Sequence, residues 1–115
     1  MRGHALDVGT DVSTAKLIKL TTALELSEAV PPATGRTLKK LARSVRLFAE
    51  VGELAAATAV LDEMTQRMDA EGEDDTGLDV ARASVERAVT RVLRCLGMAG
   101  VQQARQDAAF RERVA

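Results

Sequence analysis

The chain contains no Trp, no Tyr and no Asn, and only two Phe (Phe48, Phe110), two Pro (Pro31, Pro32), one Cys (Cys95) and one His (His4). A single Cys rules out an internal disulfide. One Cys and one His also leave no set of Cys and His ligands for zinc, and no Cys–His or Ser–His–Asp constellation beyond what a second subunit would add. With 2% aromatic residues, a core has to be filled by close helix approach or by another subunit. No apolar run reaches the roughly 18 residues that a membrane helix needs. Charge of one sign is missing too. Lys and Arg number 16 against 17 Asp and Glu, a net charge of −1, so no global field favours nucleic acid or an anionic membrane surface. Met1 to Asp11 lack the apolar stretch of a signal peptide, so the expected location is cytoplasmic.

What remains is rich in helix formers. The chain has 115 residues, 46% of them apolar, with 20 Ala. Ala and Leu favour helices, whereas a sheet would need more β-branched and aromatic residues. Size and periodicity predict an all-α fold: one domain over 1–115, a small antiparallel bundle of four to five helices with a helical hairpin turning near Gly52.

Residues 1–12 read as a tail. A first helix is expected from Thr14 behind Ser13 to about Ala29, with Leu17, Leu20, Leu24 and Val30 near one face. Pro31 and Pro32 stop it, because neither can donate a helix hydrogen bond. The second helix carries Leu38, Leu41, Val45 and Phe48, and the third Leu54, Ala57, Leu61, Met64 and Met68. Sixteen residues separate Leu38 from Leu54, a rotation of roughly 160° at about 100° per residue. One straight helix would show opposite apolar faces in its two halves. A turn at Gly52 removes that conflict, leaving a long helix buried on both sides as the alternative.

Residues 69–77 hold five acids and two Gly, which predicts a flexible acidic loop. A fourth helix from Thr76 or Leu78 shows Val85, Val89, Val92 and Leu96, with Gly97 and Gly100 expected to close it. A thin fifth helix spans Val101 to Val114. Cys95, beside Val92 and Leu96, reads as a small buried hydrophobe.

Charge is segregated along the chain. Residues 36–48 hold five bases and no acid; residues 50–75 hold nine acids and one base. Arg36, Lys39, Lys40, Arg43 and Arg46 recur every three or four positions, so they share one helix face. They are the predicted partner-binding residues. Arg87, Arg91 and Arg94 make a second, shorter basic face. No aromatic residue interleaves either face to stack on bases.

Leu41, Val45, Phe48, Gly52, Ala57, Leu61 and Met64 resemble the helix-turn-helix of tetratricopeptide or pentatricopeptide repeats. That resemblance implies a solenoid of stacked helical pairs, yet a copy 34 residues on would put Asp79 for Val45 and Arg82 for Phe48. Thr34 to Leu41, with Val51, Leu54 and Ala55, is similar to part of the N-terminal helical domain of transcription elongation factor S-II. This implies a docking module of the transcription machinery, although the Trp expected late in that domain has no counterpart.

No Gly-rich phosphate loop, metal spacing or nucleophile–base pair is present. The expectation is a non-enzymatic, cofactor-free protein–protein interaction module (adaptor, chaperone-like or assembly subunit) that binds another protein or itself as a homodimer. The alternative is a nucleic-acid-associated regulatory domain using the basic stripe 36–46.

Overall fold

The computed structural model describes residues 7–27, 30–70 and 76–114. Among these the regular structure is entirely helical: α1 (Val8–Leu26), α2 (Pro32–Glu50), α3 (Leu54–Ala70) and α4 (Thr76–Val114). Each helix packs on its neighbours in sequence, and α4 closes back onto α1. The α3–α4 seam is the thinnest of the four.

Helix α1 starts earlier than the sequence suggests. Asp7 caps it by accepting from the Thr10 N–H at 2.6 Å, so Val8 to Val12 are helix rather than tail. Asp7 outranks Ser13 as a cap, since its carboxylate also complements the helix dipole. The buried residues of α1 are Thr10, Ser13, Thr14, Leu17, Thr21 and Leu24, half of them threonine. Burying a hydroxyl is costly unless it is bonded. Thr14 donates to the Thr10 carbonyl at 2.6 Å and Thr21 to the Leu17 carbonyl at 3.0 Å. Each satisfies itself on the preceding turn, which makes it an acceptable core residue.

Pro32 sits in the first turn of α2, where its missing N–H costs nothing. Helix α2 buries Gly35, Leu38, Ala42, Val45 and Ala49. The expected face was Leu38, Leu41, Val45 and Phe48, so the true one is turned by about 60° toward the small residues. Leu41 is only partly buried and Phe48 is exposed at 37%. The reason is close packing: a Cβ on Gly35 would lie 2.9 Å from the Glu25 Cα. Small side chains let α1 approach the α2 backbone.

The turn at Gly52 is as predicted. Gly52 has φ 79°, a left-handed conformation that favours glycine. Its N–H donates to the Ala49 carbonyl at 3.1 Å, and the Glu53 N–H to the Phe48 carbonyl at 2.9 Å. This is a Schellman stop, which satisfies carbonyls that the helix end leaves open. Glu53 then opens α3 by accepting from the Ala57 N–H at 3.0 Å. Helix α3 buries Ala57, Leu61, Met64 and Met68, and α4 buries Val85, Ala88, Val89, Val92 and Leu96.

Two boundaries differ after that. The expected acidic loop 69–77 is helical at both ends, through Ala70 and from Thr76; its residues 71–75 lie outside the described residues. There is also no break between a fourth and a fifth helix, since α4 runs 39 residues without interruption. Gly97 and Gly100 are interior, because a helical glycine costs only about 1 kcal/mol. No partner hydrogen bond or left-handed φ ends the helix there.

Candidate functional site

The predicted basic stripe divides into two groups. Lys39 and Arg46 turn into the α1–α2 seam. The Lys39 Nζ pairs with Glu25 at 2.7 Å, both side chains largely shielded. Arg46 ties three groups of α1 together: the Asp11 carboxylate at 2.6 Å, the Asp11 carbonyl at 3.1 Å and the Thr14 hydroxyl at 3.0 Å. It also reaches Glu50 at 3.5 Å. The two seam pairs are nested, 39 with 25 and 46 with 11, as in a chain that doubles back. Arg36, Lys40 and Arg43 remain exposed.

The second basic face is joined by a residue from another helix. A cleft of about 260 Å³ between α1 and α4 is lined by Ser13, Lys16, Leu20, Ser84, Arg87, Ala88 and Arg91. Arg87 and Arg91 also line an adjoining hollow with Glu86, Thr90 and Arg94. Lys16 was not foreseen as a partner of this face, and only the tertiary fold supplies it. The sequence signal that could have found it is weak: Ser13, Lys16 and Leu20 follow a three-four spacing beside the threonine stripe.

The third feature is the end of α4. Residues Val101 to Arg113 are all exposed. At about 1.5 Å per residue, 39 residues span about 58 Å, which matches the long axis of the molecule, 58 Å. The radius of gyration is 16.1 Å, against about 13 Å for a compact chain of this length. The last half of α4 therefore extends past the bundle as an arm. Met98 (68%), Val101 (53%) and Phe110 (64%) are its exposed large apolar residues. At its root is a cleft of about 340 Å³, bounded by Asp7 and Thr10 of α1, Gly52 and Leu54 of the turn, and Gln102, Gln103 and Gln106 of the arm. The Thr10 hydroxyl is buried there without a hydrogen-bond partner.

Cys95 is half-buried at the α1–α4 seam rather than fully buried; a Cβ on Gly9 would meet its Sγ at 3.4 Å. Among the described residues no helix is long and apolar enough to cross a membrane, and no three His, Cys, Asp or Glu lie together as metal ligands. Comparison with protein-family models, curated proteins and solved structures found no match.

Proposed function

We propose that this chain is a non-enzymatic helical protein–protein interaction module, cytoplasmic and working without a cofactor, whose contact element is the α4 arm. We infer an antiparallel bundle, supported by the nested seam pairs, and a homodimer as the working form. The observation that carries the reading is the solvent-exposed helix from Val101 to Arg113. An isolated helix of about that length is marginal in water. Most helical stability comes from packing an apolar face, whereas every residue of this arm is exposed. A second arm that crosses at Met98 and Val101, about 60° apart round the helix, supplies missing surface on that side; Phe110, about 180° from Val101, stays outside that contact. Arg36, Lys40 and Arg43 then act as an electrostatic rim that speeds encounter with an acidic surface more than it adds affinity.

Light scattering on a sizing column tests this. The expected result is twice the chain mass, 12.3 kDa, sustained on dilution into the micromolar range. A monomer at every concentration contradicts self-association.

A further inference from the structure

We propose that the α1–α4 cleft is a binding site for a dianionic phosphate group, free or esterified. Lys16 stands on one wall, with Arg87 and Arg91 on the other, and the lining includes no acid. Three cations are neutralised within the protein: Lys39 by Glu25, Arg46 by Asp11 and Glu50, and Arg67 by Glu63. None of Lys16, Arg87 and Arg91 forms an ion pair among the described residues. Three like charges held around one hollow repel each other, and a bound counter-charge relieves that repulsion.

The donors then select the anion. Arg87 and Arg91 are one helical turn apart, so both guanidinium forks border the same cleft. A guanidinium suits two parallel hydrogen bonds to phosphate oxygens. Arg87 makes only a long 3.4 Å hydrogen bond, donated to the Ser84 hydroxyl, so its guanidinium stays open to a ligand. Ser13, 2% exposed, lies on the α1 side; its hydroxyl makes only a long 3.4 Å bond to the Thr10 carbonyl. It is therefore available to donate to a ligand oxygen. A carboxylate, with one charge and two oxygens, uses fewer of these donors than a phosphate does. At neutral pH a phosphate monoester carries about −1.5 to −2. Leu20 and Ala88 give the cleft an apolar portion, which would contact the organic part of an ester.

The experiment is isothermal titration of the full-length chain with inorganic phosphate and with phenyl phosphate, in low chloride. Saturation at one ligand per chain is expected. Tighter binding of phenyl phosphate identifies an ester as the source, and equal binding identifies free phosphate. Arg87→Gln combined with Arg91→Gln should weaken binding at least about tenfold per guanidinium removed, with an unchanged melting curve. Lys19→Gln combined with Arg67→Gln, neither of which lines the cleft, should leave it unchanged. If the double Arg variant does not fold, Ser84→Asp serves instead; an acid beside Arg87 should abolish binding. The proposal is overturned if neither phosphate saturates, or if the two double variants weaken binding equally. It is also overturned if a single-stranded oligonucleotide binds, with steep salt dependence, where neither phosphate does, because that marks a polyanion surface.

Discussion

The two halves of α4 are one uninterrupted helix in two different environments. From Val85 to Leu96 it buries Val85, Ala88, Val89, Val92 and Leu96 in the bundle, where α4 packs on α1 and α3. From Val101 to Arg113 every residue is exposed. Helix propensity hardly separates the halves, since the arm has Ala104, Ala108 and Ala109 and no Pro. The difference lies in the size and spacing of the apolar side chains. In the first half branched residues recur at three and four; in the second the positions that continue that face include the polar Gln103, Gln106 and Asp107. Secondary structure therefore continues where tertiary structure stops. A helix can outrun its core when its sequence forbids neither.

The sharpest way to test that contrast is to damage the bundle. Leu61 is fully buried, and Leu61→Ala should lower unfolding free energy by about 3 kcal/mol, read as a lower denaturation midpoint by circular dichroism. Next is the close approach of α1 and α2. Gly35→Ala improves helix propensity, yet its Cβ meets backbone at 2.9 Å, so a net loss of about 2 kcal/mol is expected. A gain in stability there would mean the two helices are farther apart. Arg46→Ala removes the tie across the α1–α2 seam and should cost about 1–2 kcal/mol, less in high salt. In the arm, Val101→Asp with Phe110→Asp should change bundle stability by no more than about 0.5 kcal/mol. A large loss at concentrations where both chains are monomeric would show that the arm packs on its own bundle.

The legible parts of the fold were those with large aliphatic side chains at helical spacing. Leu61, Met64 and Met68 of α3, and Val85, Val92 and Leu96 of α4, lie where their periodicity puts them. Gly52 was legible because two helical patterns needed a reversal between them. The misses share a cause. Thr14, Thr21, Gly35 and Ala42 are buried through self-satisfied hydroxyls and close backbone approach, which a count of apolar residues does not register. Of the candidate residues on α2, Lys39 and Arg46 border α1, where Glu25 and Asp11 neutralise them, while Arg36, Lys40 and Arg43 stay exposed. No local pattern announces a pairing across 14 or 35 positions. Lys16 joined Arg87 and Arg91 for the same reason, through tertiary proximity alone.

The most direct test of the account compares the molar mass of the native chain with that of the Val101→Asp, Phe110→Asp variant, by light scattering at matched concentration. The account predicts a dimer for the native chain and a folded monomer for the variant, with superimposable circular dichroism melts corrected for dissociation. A native monomer, or a variant that remains dimeric, would contradict the claim that the exposed half of α4 is where this protein meets its partner.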